Sequence, residues 1–424
     1  MKTMESRDIG SPLFEYTNFL ERKSPPPLIV DPPSPVNLNL PNFGAAWIAT
    51  ILKTRVIDLH ALPLPQHRLF RAAPAQLAIS VRSFNRSSAE EIAKEFSRRY
   101  PESRVTSLTG IVDVQCCYGF ESFPDNVHIE HPFNDSLPFP EYERFDSFRY
   151  LHANWKSGFW AYPIMTARGC PFPCAYCAAR RRPWHPRSAE HAVEELSRAK
   201  HAYDIQAFEI IDDVFNLDEA RSIRFCELVQ PLGLSWSCAN GIRADRFSER
   251  QARAMAASGC RQVGFGIEST SEEVLQAVSK GESFARMEQA IRIAQDHFST
   301  VSGFFILGLP GSTYERDHES ILWARDMHLK AYFSYFVPPG SNDGVYFGTL
   351  AQPRSPAYPI EQQRELYALA RGLNRDRYLA EGLPGKVLRT TCASLQTFDF
   401  RSGLNHAAHL LKRGWSALTR GEIQ

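Results

Sequence analysis

The run Arg168-Gly169-Cys170-Pro171-Phe172-Pro173-Cys174-Ala175-Tyr176-Cys177 places three cysteines within eight residues. Three thiolates on one short loop can converge on a single metal centre. Gly169 frees the backbone to turn, and Pro171 and Pro173 stiffen the loop, lowering the entropy lost when it closes on metal. Iron–sulfur cubanes normally take four cysteine thiolates. The local motif supplies three, so one iron is left open to an outside ligand. The competing reading is a structural zinc site with His185 as fourth ligand.

The elements behind the loop favour the cluster. From residue 161 strands are expected near 161–167, 207–213, 234–240, 261–268, 301–308 and 331–337, and helices near 188–203, 216–230, 248–258, 271–280, 283–297 and 312–328. Asn216 with Glu219 and Ser248 with Gln251 form capping-box pairs, and Gly259 and Gly281 stand where left-handed residues end helices. Six strand–helix units predict an α/β fold, a parallel sheet curled into a partial barrel. Chemistry in such barrels gathers at the C-terminal strand ends. A zinc knuckle needs no such scaffold.

Upstream, residues 1–27 read as a polar segment and 28–123 as a small Rossmann-like α/β domain with a parallel sheet. Residues 124–158 read as a connector, 159–344 as the barrel and 345–424 as a mainly helical capping or substrate segment. The 424 residues carry 48 basic and 47 acidic side chains, a net charge of +1 that disfavours a large nucleic-acid partner. Arg180-Arg181-Arg182 is a local basic run able to meet an anion. No stretch is apolar enough to predict a membrane span or a signal core, and clustered cysteines suit a reducing compartment, so the cytoplasm is expected.

The cysteine spacing at the end of the first barrel strand resembles the signature of the radical S-adenosylmethionine (SAM) superfamily. Further elements resemble its subfamily with N-terminal cobalamin-binding domains: Ile210-Ile211-Asp212-Asp213-Val214-Phe215, Val263-Gly264-Phe265-Gly266-Ile267-Glu268-Ser269, Lys280-Gly281 and Phe305-Ile306-Leu307-Gly308-Leu309-Pro310-Gly311. The resemblance implies a 4Fe–4S cluster on Cys170, Cys174 and Cys177, with SAM on the open iron. One electron then yields a 5′-deoxyadenosyl radical, which removes hydrogen from unactivated carbon. By the same resemblance Tyr176 lies near the adenine, and Asp212 or Asp213 near the methionine amino group or ribose. Arg243 and Lys280 are candidates for the methionine carboxylate, and Glu268 for hydrogen bonds to SAM. The turn from Gly308 through Pro310 lets backbone approach the nucleoside. A one-electron donor such as flavodoxin or ferredoxin is an implied partner.

The N-terminal domain has the outline of a cobalamin-binding domain but is short. About sixteen residues follow Leu59 before the next strand, Pro63, Pro65 and Pro74 crowd them, and no Asp-x-His-x-x-Gly motif appears. This predicts a degenerate domain without cobalamin, kept as scaffold or homodimer surface. The expected outcome is then dehydration, epimerisation or rearrangement of a small molecule, such as an aminoglycoside or other secondary metabolite, with a separate reductase acting on the product. Tyr332, Tyr335 and Asp343 are the candidate acid–base groups. The alternatives are a cobalamin-dependent radical SAM methyltransferase and a non-catalytic zinc-binding protein.

Overall fold

A computed structural model describes residues 27–32, 41–59, 75–80, 86–110, 126–129, 132–158, 160–177, 179–336 and 357–380. The chain divides into two compact units that meet in sequence near Phe148.

The first unit contains β1 (Leu28–Asp31), α1 (Phe43–Leu52), β2 (Val56–Asp58), β3 (Gln76–Ser80), α2 (Arg86–Arg99), β4 (Arg104–Gly110) and β5 (Asn126–Ile129). All strand pairs are parallel, in the order β2-β1-β3-β4-β5. That is the open doubly wound arrangement whose strand order reverses between β1 and β3. Val30, Leu77 and Ile79 pack against Ala89, Ile92 and Phe96 of α2, all at 0% exposure, so the apolar stripe of the helix closes one sheet face. At the switch point Asn42 caps α1 by accepting from Ala45, while its amide donates to Asp31 and to Ser80, each at 2.9 Å. The fifth strand falls where the sequence suggests a connector. Its run Asn-Val-His-Ile is too short to announce itself among prolines and aspartates. Helix α2 begins at Arg86, so Ser87 and Ser88 fall within its first turn.

The second unit opens with α3 (Phe148–Lys156), also inside the expected connector, then β6 (Tyr162–Ile164), β7 (Ala167–Arg168) and β8 (His185–Pro186). There follow α4 (Ala189–Tyr203), β9 (Ala207–Ile210), α5 (Glu219–Val229), β10 (Ser235–Ile242), α6 (Glu249–Ala257) and β11 (Cys260–Glu268). The series ends with α7 (Glu272–Ala277), α8 (Phe284–His297), β12 (Thr300–Leu307), α9 (Tyr314–Asp326), β13 (Lys330–Tyr335) and α10 (Ile360–Ala380). Six strands make one parallel sheet, β13-β12-β11-β10-β9-β6, the partial barrel.

Side chains alternate across this sheet as a strand period of two demands. Phe208 and Trp236 stack at 5.5 Å on the helix side, with Phe225 of α5 edge-on to both. On the other face Glu209 of β9 feels the charge of Lys330 of β13, although three strands separate them in the sheet. Curling of the sheet accounts for that. Burial pushes the Glu209 carboxyl up to about 7, with Lys330 drawing it back.

Ser248 caps α6 as expected, accepting from Gln251. Asn216 does not cap α5. Asp218 does, and Asn216 is buried, exchanging hydrogen bonds with the backbone of Arg243. Cys226, Cys238 and Cys260 are buried free thiols, while Cys116, Cys117 and Cys392 lie outside the described residues. Among the described residues no helix is long and apolar enough to cross a membrane.

Candidate functional site

The cysteine loop leaves the barrel at β7 and returns at β8. The two pair antiparallel, Ala167 with Pro186 and Arg168 with His185, so the loop is pinched at its base. Gly169 stands at φ +91, and a Cβ there would lie 2.0 Å from the Pro183 carbonyl oxygen. Only glycine fits, which gives the residue before the first cysteine its role. Its amide donates to Asp213 at 2.7 Å. Further along, Ala175 donates to the carbonyl of Val278 at 2.8 Å. Ala175 and Tyr176 pack on Val274, Val278 and Leu309. The loop is thus anchored to the ends of β9 and α7 and to the turn after β12.

Cys174 is buried and Cys170 and Cys177 half-buried. Burial pushes the Cys170 thiol up and that of Cys177 up to about 11, and each is raised further by the other cysteines. The thiols therefore feel one another. Among the described residues no three His, Cys, Asp or Glu side chains are grouped closely enough to hold a metal ion. His185, the proposed fourth zinc ligand, is exposed on β8. Three cysteines on one loop are the donor set that the resemblance assigns to a 4Fe–4S cluster.

Beside the loop lies a buried charge network. Lys280 Nζ is 3.3 Å from Glu268 Oε1 and 3.2 Å from Glu282 Oε2. Arg243 reaches Asp245 at 2.9 Å and Glu282 at 3.5 Å, and its guanidinium lies 3.4 Å from the ring centroid of Phe172, inside the cysteine loop. The Tyr176 hydroxyl donates to Glu268 at 3.1 Å. Burial pulls the Lys280 ammonium down, but Glu268 and Glu282 more than offset it. Burial raises the Glu268 carboxyl against the pull of Lys280. Lys280 and Arg243 are therefore neither a helix-end charge nor a surface ion-pair partner.

The backbone around this network is bare by design of the sequence. Glu268 itself sits at φ +67, a left-handed non-glycine residue of a kind that costs about 1–3 kcal/mol and clusters at functional sites. A register shift between Gly266 and Glu268 sets two residues of β11 against one of β12 there. A Cβ on Gly266 would stand 2.7 Å from Glu268 Oε1 and 3.1 Å from Lys280 Nζ. Glu282 Oε2 is buried with no hydrogen-bond donor aligned on it. A polar ligand carrying both an acid and an amine would find partners in such a cradle.

The other expected residues divide. Asp213 holds the cysteine loop through Gly169. Asp212 is 2% exposed and both its oxygens accept from Thr166, at 2.5 and 2.6 Å. It fixes the end of β6 to that of β9 and presents no free carboxylate. Gly308, at φ +72, donates to Asp317 at 2.6 Å, and Pro310 is exposed beside it. Tyr332 stacks on Phe304 at 5.1 Å on the inner face of the sheet. Tyr335 is buried and its hydroxyl donates to the Gln363 carbonyl of α10. Asp343 lies outside the described residues.

Sequence reasoning missed Glu282, Phe172 and Asp317. Glu282 had a signal, since an acid two residues after Lys280 and past a glycine can face the same way. Asp317 looks like an ordinary first-turn helix acid, and only the fold turns it onto Gly308.

The second unit is thus a parallel partial barrel with a three-cysteine loop after its first strand. Residues 164–324 match the model of the Radical SAM superfamily, which marks this part of the chain as a radical SAM domain. It is 32% identical over 212 residues to an uncharacterised methyltransferase of Pyrococcus horikoshii, a match covering 49% of this chain and 45% of that protein. It is 29% identical over 185 residues to the cytidylyl-2-hydroxyethylphosphonate methyltransferase of Streptomyces wedmorensis, covering 42% and 35%. The matches thus span less than half the length of these curated relatives. Among solved structures it resembles the radical SAM methyltransferase TsrM from Kitasatospora setae with cobalamin and a 4Fe–4S cluster bound. The TM-score is 0.58 at 16% identity, covering 74% of this chain and 75% of that one, a likeness of fold. These relatives are methyltransferases, so the dehydratase, epimerase or rearrangement chemistry expected from sequence finds no support in them.

Proposed function

We propose that the protein is a cobalamin-assisted radical SAM methyltransferase acting on a small molecule. The observation that carries this reading is the first unit. Its described residues form a five-stranded parallel sheet in the order β2-β1-β3-β4-β5. Open sheets of this order bind ligands outside the carboxyl ends of the strands at the switch point, where Asp31, Asn42 and Ser80 form a buried polar cluster. The methyltransferase relatives and the cobalamin-bound TsrM structure support the same reading.

In this account Cys170, Cys174 and Cys177 hold a 4Fe–4S cluster, Lys280 and Arg243 meet the methionine carboxylate, and Glu268 accepts from its amino group. The network sets Lys280, Arg243 and Arg246 against Glu268, Glu282 and Asp245, so its formal charges balance and the ligand's own acid and amine exchange with paired groups. Tyr176 and the Gly308–Gly311 turn border the nucleoside. When bound, the cluster supplies an electron to SAM and the corrinoid carries the methyl group. The residues of the chain bind, orient and exclude water.

Anaerobic reconstitution of the full chain with iron, sulfide and hydroxocobalamin tests the reading. Retention of about one corrinoid per chain after gel filtration, with S-adenosylhomocysteine formed only when it is present, is the expected result. A chain that binds no corrinoid yet releases 5′-deoxyadenosine at full rate would return the protein to cobalamin-free chemistry.

A further inference from the structure

Three backbone hydrogen bonds press Arg180-Arg181-Arg182 against the cysteine loop. Arg180 donates to the carbonyl of Cys177 at 3.3 Å, Arg181 to that of Phe172 at 2.9 Å, and Arg182 to that of Cys170 at 2.9 Å. Arg181 adopts φ +55, a left-handed conformation that L-residues avoid. An observed outlier of this kind is a pointer to function. Arg180 and Arg181 are exposed and Arg182 half-buried.

No described carboxylate pairs with Arg180 or Arg181, and the guanidinium of Arg180 donates to the Ala175 carbonyl at 3.3 Å. Asp213, which lies beneath the loop, has its charge balanced by Arg182 and Arg168 and its oxygen occupied by Gly169. Among the described residues the exposed guanidiniums of Arg180 and Arg181 are left without a carboxylate. The chain as a whole carries a net charge of +1, so this is a local feature and not general basicity.

We propose that Arg180 and Arg181 form the docking edge for an acidic one-electron carrier protein, of which reduced flavodoxin is the type. The proposal rests on the cluster held by Cys170, Cys174 and Cys177. Two of the three arginines are bonded to the backbone of cluster-ligand residues, so a partner seated on them stands against the loop that must receive the electron. Long-range attraction between a small cationic edge and an acidic carrier raises the encounter rate without a large buried area. A nucleic-acid partner is the weaker fit, because three adjacent arginines on a neutral chain do not make a phosphate-tracking stripe. In the transfer the carrier is oxidised by one electron and the cluster reduced by one. No bond is made or broken.

The test compares the reconstituted wild-type holoenzyme with Arg180→Glu/Arg181→Glu under two reductants, flavodoxin and dithionite. Cluster reduction is followed by electron paramagnetic resonance, and flavodoxin affinity is measured separately. The variant is expected to lose about tenfold or more in flavodoxin-driven reduction and in affinity, while dithionite reduces it as it does the wild type. The wild-type flavodoxin rate should fall between about 50 and about 300 mM salt, and the dithionite rate should not. If charge reversal lowers iron loading, Arg180→Gln/Arg181→Gln gives the same ratio without a new negative charge. Unchanged flavodoxin kinetics in a loaded variant, or a wild-type flavodoxin rate indifferent to salt, would overturn the proposal. So would tRNA binding lost with these charges while flavodoxin binding persists. Failure of the cluster assignment looks different: neither reductant would then produce a signal in the wild type.

Discussion

Gly169 and Asp213 are joined by a 2.7 Å hydrogen bond from the backbone amide of one to the carboxylate of the other. It links the residue before the first cysteine to the end of the second barrel strand. The carboxylate is buried, and its pKa is raised by that burial despite the amide and the nearby Arg182 and Arg168. Replacing it tests whether the loop must be held in place to take up metal. Asp213→Asn should retain the fold and lose about 1.5–3 kcal/mol of charge-assisted bonding, seen as slower and less complete iron uptake during reconstitution.

Glycine 169 itself offers a sharper comparison. Gly169→Ala drives a Cβ to 2.0 Å from Pro183 O, whereas Gly233→Ala, at φ +63, meets nothing within 4 Å. The second change should cost only the left-handed penalty of about 1–2 kcal/mol. The first should abolish iron loading while far-ultraviolet circular dichroism still reports a folded barrel.

Lys280 neutralises two buried carboxylates, Glu268 and Glu282. Breaking a buried pair by removing one partner leaves an uncompensated charge and costs about 3–5 kcal/mol. Lys280→Met should therefore lower the melting temperature and weaken SAM binding by calorimetry. Adding Glu268→Gln to it should recover stability without recovering SAM affinity.

Asp212 makes a pH prediction. Burial raises its carboxyl to about 6, with Arg221 and the Thr166 bonds opposing, from an ordinary value of 3.8. The folded state thus binds the proton more tightly than the unfolded one. Its ionised form is a burden at neutral pH, relieved as pH falls through about 6 towards 3.8, by about 3 kcal/mol in all. Asp212→Asn should abolish that component. Wild type minus variant stability, from denaturant titrations of the metal-free protein, should rise on going from pH 7.5 to about 4.5.

Tyr358, just ahead of α10, ties down the turn after β12. Tyr358 donates to Asp317, which in turn accepts from Gly308 and Ser312, each bond at 2.6 Å. Tyr358→Phe removes one donor to a buried carboxylate, worth about 1.5–3 kcal/mol. It should weaken SAM binding more than it alters cluster content, a split that calorimetry and iron analysis on one sample would reveal.

Much of the barrel was legible because its signals are local. Ser248 before Gln251, Gly259 at φ +100 and the alternating apolar strands each follow from a few neighbouring residues. The cysteine triplet was legible for the same reason. What the sequence hid depends on approach across the fold. Nothing local says that Asp212 binds Thr166, that Tyr335 is tied to Gln363, or that β7 and β8 pinch the loop. The first unit was legible as a small parallel-sheet domain, whereas β5 was not, because its four residues fall among prolines and aspartates that suggest a connector.

The central claim is that Cys170, Cys174 and Cys177 carry an iron–sulfur cluster whose open iron takes SAM. Anaerobically reconstituted protein should hold about four irons and about four sulfides per chain. Its reduced form should give a cluster paramagnetic signal that shifts when SAM is added, and Cys174→Ala should lose both. Zinc in place of iron in the wild type, or a cluster signal indifferent to SAM, would contradict the account.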